Sequence, residues 1–183
     1  MTGKELPWGN LTGIRPTKIA MGLLEEGKTE EEIAAALQKE HFVSTKKADL
    51  SVEIAKREKE LLSHIHYEEG YSLYIGIPFC PTTCLYCSFT SYPLSMYRDK
   101  VDEYLDALIK ELTFISGYMN GRGPDTIYIG GGTPTTLTAG QSDRLISSIE
   151  ELFDLNGLEE FTVEAGRPDS IDIDKLKILR KHG

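Results

Sequence analysis

Cysteine is scarce in this chain of 183 residues: there are three, all within the eight residues from Cys80 to Cys87. That excludes a disulfide framework, which spreads an even number of cysteines along a secreted chain. Clustered cysteines point instead to metal or redox chemistry. Long apolar runs are missing too. No stretch approaches the roughly 20 residues of a bilayer-spanning helix, and Met1 to Asn10 lacks the basic start and apolar core of a secretory signal. Basic excess is also missing, since 20 Lys and Arg stand against 29 Asp and Glu, a net charge of −9. A nucleic-acid binder would present a basic face to phosphates. Residues 1–67 carry ten Lys/Arg against eleven Asp/Glu, so most of the acidic excess lies beyond them. We therefore expect a cytoplasmic protein with neither a membrane nor a nucleic-acid partner. Its 40% hydrophobic and 27% charged residues suit an ordinary folded domain.

What is present divides into two parts, a small helical segment over 1–69 and an α/β part over 70–183. In the first, Pro16 to Glu26 is amphipathic and stops at Gly27, and Thr29-Glu-Glu-Glu32 is a capping box. Ile33, Leu37 and Ala34 then give an apolar face. Ser44 or Thr45 caps a third helix whose buried side is predicted as Leu50, Ile54, Leu61, Leu62 and Ile65. In the second part, strands are predicted at Tyr71–Ile77, Thr126–Ile129 and Phe161–Glu164. Helices follow each: one along Val101, Tyr104, Leu105, Leu108, Leu112 and Ile115, and one capped by Thr138 with Gln141. The last starts at Asp172 or Asp174. The β-α-β-α-β-α order predicts parallel strands joined by right-handed crossovers, covered on both faces. Three such units are too few to close an eight-unit barrel, so the chain reads as the N-terminal piece of a longer protein.

Three features carry chemistry. Cys80-Pro-Thr-Thr-Cys84-Leu-Tyr-Cys87 puts three thiolates in one loop, which suits an iron–sulfide cube with one corner left open. A zinc site is the alternative, with His64 or His66 as fourth ligand, and a Cys-x-x-Cys redox pair is another. Gly130-Gly-Gly-Thr-Pro134 lets backbone approach a ligand without side chains in the way, or simply makes a tight turn. No Lys follows in P-loop order, and Gly-x-Gly-x-x-Gly is absent. Glu164 is an acid at the end of an apolar strand. All three lie at the carboxyl ends of successive strands, where α/β folds build ligand sites.

These residues resemble a known family. Tyr74-Ile-Gly-Ile-Pro-Phe-Cys80 with the Cys-x-x-x-Cys-x-x-Cys spacing is similar to the radical S-adenosylmethionine (SAM) superfamily. Within it, the chain resembles the oxygen-independent coproporphyrinogen III oxidases, or coproporphyrinogen dehydrogenases. Gly131-Gly-Thr-Pro134 and Phe161-Thr-Val-Glu164 follow in the family's order, and the resemblance covers about Tyr71 to Asp169. Gly13-Ile-Arg-Pro-Thr-Lys18 is similar to the start of the HemZ-type subgroup.

The resemblance implies a partial (β/α) radical SAM barrel of three βα units behind the helical segment. It implies a [4Fe–4S] cluster on Cys80, Cys84 and Cys87, with SAM at the open iron. Tyr74 would contact SAM, Tyr86 its adenine, Gly131, Gly132 and Thr133 its methionine end, and Glu164 would hydrogen-bond it. The implied reaction takes one electron from a donor such as flavodoxin or ferredoxin and cleaves SAM to methionine and a 5′-deoxyadenosyl radical. That radical removes a hydrogen from a propionate of coproporphyrinogen III, and loss of carbon dioxide leaves a vinyl group on the path to haem. One departure stands out. Oxidases of the group have a further cysteine two residues past the third ligand, where this chain has Phe89. Phenylalanine there is usual in haem-chaperone relatives and HemZ-type proteins. A haem chaperone, with His41, His64 or His66 as haem ligands, is therefore one rival reading, and a structural zinc module is another.

Overall fold

The computed structural model describes residues 6–66 and 68–183, which form two units, Met1–His66 and Tyr67–Gly183. The first is built of helices α1 (Pro16–Glu25), α2 (Glu30–His41) and α3 (Thr45–Leu62). Pro16 at the start of α1 costs nothing, because the first helical N–H groups lack partners anyway. Beyond α1, Gly27 takes a φ of 82° that a Cβ would resist. The predicted capping box forms: Glu32 N–H donates to Thr29 Oγ1 at 3.3 Å, and Thr29 N–H to Glu32 Oε2 at 2.9 Å. Ser44 is the residue before α3, but its hydroxyl donates to the Pro7 carbonyl instead of capping the helix.

Ile33 and Leu37 are buried as expected, with Ala20, Val43, Ala48, Val52 and Ala55. The predicted face of α3 is corrected. Its buried stripe is Ala48, Ser51, Val52 and Ala55, while Leu61 is 69% exposed. Small side chains let α3 pack against α1 and α2, and Ser51 enters the core because its hydroxyl donates to the Lys47 carbonyl one turn back.

The second unit holds the sheet. Its elements are β1 (Ser72–Ile77), β2 (Phe79–Cys80), β3 (Tyr92–Pro93), α4 (Leu94–Tyr97), α5 (Val101–Tyr118), β4 (Thr126–Gly131), α6 (Ala139–Leu152), β5 (Glu160–Val163) and α7 (Ile173–Lys181). Strands β1, β4 and β5 are parallel neighbours in that order, with Tyr74 opposite Tyr128 and Ile77 opposite Gly131. β2 and β3 form a separate two-residue parallel pair that the sequence pattern did not predict. The capping box at Thr138 and Gln141 forms, and Asp172 caps α7 by accepting from the Lys175 N–H.

The expectation of a sheet covered on both faces is corrected. Leu73, Ile75, Ile77, Ile127 and Ile129 pack with Leu105, Leu108, Leu112, Leu145 and Ile149 in one core. The alternate residues of β1 are open, and Tyr74 is 66% exposed. The cause is topological. The strand order never reverses, so right-handed crossovers put α5 and α6 on the same side. That is the arrangement of a barrel wall rather than of a doubly wound sheet.

Candidate functional site

The site is built where β1, β4 and β5 end. After β1 the chain runs through Pro78 into β2, which buries Cys80 at 8% exposure, whereas Cys84 and Cys87 are partly exposed. The loop is closed at its base by the β2–β3 pair and by Tyr92 N–H, which donates to the Pro78 carbonyl at 2.8 Å. Cys87 N–H turns back onto the Cys84 carbonyl at 3.0 Å. All three thiols are free.

The glycine run at the end of β4 fits against this base. Gly131 has a φ of 104°, a region only glycine enters cheaply. A Cβ on Gly132 would lie 2.8 Å from the Phe79 carbonyl oxygen, 2.9 Å from that of Ile77 and 3.0 Å from Cys80 Sγ. Bare backbone is therefore needed for the cysteine loop to approach. Gly132 N–H donates to the Ile77 carbonyl and Thr133 N–H to that of Phe79, both at 2.8 Å. Thr133 is 3% exposed and donates its hydroxyl to Cys80 Sγ at 3.4 Å. Gly132 and Thr133, expected at the methionine end of a cofactor, spend their one backbone donor each on the end of β1 and on β2.

On the open face of the sheet, Tyr74 stacks on Tyr128 with ring centroids 5.7 Å apart and planes 9° from parallel. Glu164 N–H continues the β5 ladder to the Ile129 carbonyl at 2.9 Å, which brings its exposed carboxylate over Gly130. A Cβ there would stand 2.5 Å from Tyr128 Cε1 and 3.0 Å from Glu164 Oε2. The Tyr128 phenol is pushed above its ordinary range, first by lost solvation and then by the Glu164 carboxylate. Tyr74 and Glu164 thus share one surface with Tyr128 between them. Tyr86, in the cysteine loop next to Leu85, is 91% exposed, and Phe89 nearby in sequence is 74% exposed.

Arg167, four residues past the end of β5, ties the third strand to the first loop. Its Nε and Nη2 hold both oxygens of Asp169 at 2.9 and 2.6 Å. Nη1 reaches the Thr82 carbonyl at 3.3 Å and Cys84 Sγ at 3.6 Å. Its own carbonyl accepts from Ser170 Oγ at 2.6 Å, and Ser170 Oγ is 2.5 Å from Thr135 Oγ1. Lys175 Nζ donates to the Thr135 and Ser170 carbonyls at 2.8 Å each. Sequence reasoning missed Tyr128 and Arg167. Tyr128 was signalled by its place two residues before the glycine run, matching Tyr74 two before Gly76. Arg167 carried only the weak signal of a base just past a strand end.

Two of the three sulfurs accept hydrogen bonds from an alcohol or a guanidinium, which suits thiolate ligands whose charge the protein offsets. Among the described residues no group of three or more His, Cys, Asp and Glu side chains stands close enough to hold a single metal ion. An iron–sulfide cube asks less of them, because each thiolate holds a different corner. His64 and His66 belong to the other unit, and among the described residues no helix is long and apolar enough to cross a membrane.

No family model matches the chain. It is 39% identical over 185 residues to the oxygen-independent coproporphyrinogen-III oxidase-like protein HemZ of Bacillus subtilis, covering 99% of this chain and 37% of that protein. It is 44% identical over 115 residues to the heme chaperone HemW of the same organism, covering 61% of this chain and 29% of the relative. Among solved structures it is similar to the Escherichia coli coproporphyrinogen III oxidase HemN, described as a radical SAM enzyme. The TM-score is 0.53 and the identity 33%, over 69% of this chain and 29% of that one. The chain thus spans about a third of the length of these relatives, and its sheet and helices are a partial radical SAM fold.

Proposed function

Because the chain is a homologue, over part of their length, of the oxygen-independent coproporphyrinogen-III-oxidase-like radical SAM proteins, we propose that it holds a [4Fe–4S] cluster on Cys80, Cys84 and Cys87 and SAM beside it. The observation that carries this reading is the strand-end convergence of a three-cysteine loop, a glycine run packed against it and an acid two strands away. When bound, the cluster supplies the electron that cleaves the carbon–sulfur bond of SAM.

The chain's own residues supply position and charge. Cys80 is fixed by the Thr133 hydroxyl and by the Gly132 backbone. Tyr74 and Tyr128 offer a flat stacked surface on the open face of the sheet, and Glu164 places a negative charge beside it. An aromatic face and a carboxylate together attract a cationic sulfonium or ammonium group. In this reading Gly131, Gly132 and Thr133 shape the floor under SAM, and Tyr86 meets adenine only if the cysteine loop closes over the cofactor.

For the protein this chain represents, the substrate we favour is coproporphyrinogen III, with oxidative decarboxylation of its propionates. A one-electron protein donor of the flavodoxin or ferredoxin kind would serve it. The second reading is haem handling without decarboxylation. It is supported by Phe89, exposed beside the cysteine loop, and by the likeness to HemW.

The test is anaerobic reconstitution with iron and sulfide, followed by electron paramagnetic resonance with and without SAM. About four irons and four sulfides per chain and a SAM-dependent spectral change are expected, both abolished in Cys84→Ala. Zinc at one equivalent without iron or sulfide refutes the reading. Incubation of a full-length protein with coproporphyrinogen III, and separately with haem, then divides oxidase from chaperone.

A further inference from the structure

Arg167 is a base whose position the cluster reading alone does not require. Its guanidinium is divided between two tasks. Asp169 takes Nε and Nη2 in a two-point grip, which fixes the plane of the group. Nη1 is thereby aimed at the loop between the first two cysteines, where it meets the Thr82 carbonyl and Cys84 Sγ, while Nη2 also reaches Thr82 Oγ1 at 3.3 Å. The side chain is only 26% exposed. The backbone carrying it is pinned by Ser170, Thr135 and Lys175, so the loops after β1, β4 and β5 form one hydrogen-bonded unit.

We propose that Arg167 is a positioning residue that fixes the Cys84 end of the cysteine loop and, by donating to the Cys84 sulfur, sets the reduction potential of the cluster held there. The proposal rests on the cluster assignment above. A cation donating to a ligand sulfur favours the more negative, reduced state, and hydrogen bonds to the sulfurs are among the levers that set such potentials. Thr133 plays the neutral counterpart at Cys80. Among the described residues no such donor reaches Cys87, whose thiol instead faces the Phe89 carbonyl at 3.9 Å.

The experiment reconstitutes the chain, Arg167→Gln and Arg167→Lys with iron and sulfide under anaerobic conditions. Redox titration followed by electron paramagnetic resonance then gives each midpoint. Arg167→Gln is expected to load iron and sulfide and to titrate at a more negative potential. Arg167→Lys keeps the charge but loses the fork, so its midpoint should fall between the other two. If the unsubstituted chain takes up no iron and sulfide, the cluster assignment itself fails. If it loads and both variants keep its potential, the role of Arg167 alone is overturned. Should Arg167→Gln not load, Arg167→Lys decides: loading at a lowered potential supports the proposal, whereas loading at the parent potential overturns it.

Discussion

Two glycines of one run serve different ends, and substitution separates them. Gly132 faces backbone oxygens of Ile77 and Phe79 and the Cys80 sulfur. The two backbone oxygens cannot swing away, so Gly132→Ala must push the cysteine loop off the glycine run. A loss of about 1–3 kcal/mol is expected, seen as a lower urea midpoint and accompanied by poor uptake of iron and sulfide. Gly130 faces the ring of Tyr128 and the carboxylate of Glu164, both ends of side chains that can rotate. Gly130→Ala should keep the urea midpoint nearer the parent's and weaken SAM binding instead, read by equilibrium dialysis. Equal losses of stability in the two variants would contradict this division. The glycine run itself was readable from the sequence. Which glycine guards the sulfur was not, because that depends on Phe79 and Cys80 arriving from another strand.

Among the elements, the two with capping boxes were read correctly, whereas the cap expected at Ser44 does not form. Both capping boxes join residues three apart, so Thr29 with Glu32 and Thr138 with Gln141 announce their helices without help from the fold. Thr138→Ala should cost about 1 kcal/mol of stability, measured by urea unfolding. The buried stripe of α3 was misread, since Ala48, Ser51 and Ala55 carry little hydrophobic signal and are buried by the helices they meet. The join between α6 and α7 could not be read at all. His182, 7% exposed, sits between Glu150 and Asp143, each 2.9 Å from a ring nitrogen, with Lys181 also on Asp143. Burial opposes its charge, but the two carboxylates outweigh burial and Lys181, so its pKa lies above the usual value. The stabilisation is therefore complete below about pH 6.5, the unfolded value, and is lost as pH rises through the raised folded value. Urea midpoints should fall from pH 6 to pH 8, and His182→Gln should flatten that slope. An unchanged slope would show that the ring is not held as a cation.

At the scale of the molecule, strand order and direction followed from the alternation of strand and helix patterns, because crossovers have one hand. What escaped was which face is covered. The strands read as apolar runs, yet Tyr74, Tyr128 and Glu164 point away from the helices while Ile75, Ile127 and Ile129 point toward them. An aromatic residue scores as core in a pattern whether it packs against a helix or lines a mouth, so the pattern alone could not divide the two. Mutation can. Ile129→Ala removes a side chain 2% exposed from the packed face and should cost about 2–5 kcal/mol. Tyr74→Ala removes one that is 66% exposed and loses mainly its stacking on Tyr128, about 0.5–1.5 kcal/mol. Their effects on ligand should run the other way. In reconstituted protein, Tyr74→Ala should raise the dissociation constant for SAM several-fold, whereas the Ile129→Ala protein that remains folded should bind it nearly as the parent does. If Tyr74→Ala destabilised the chain as much as Ile129→Ala and left SAM binding untouched, the open face would be a second core and the cofactor would have to lie elsewhere.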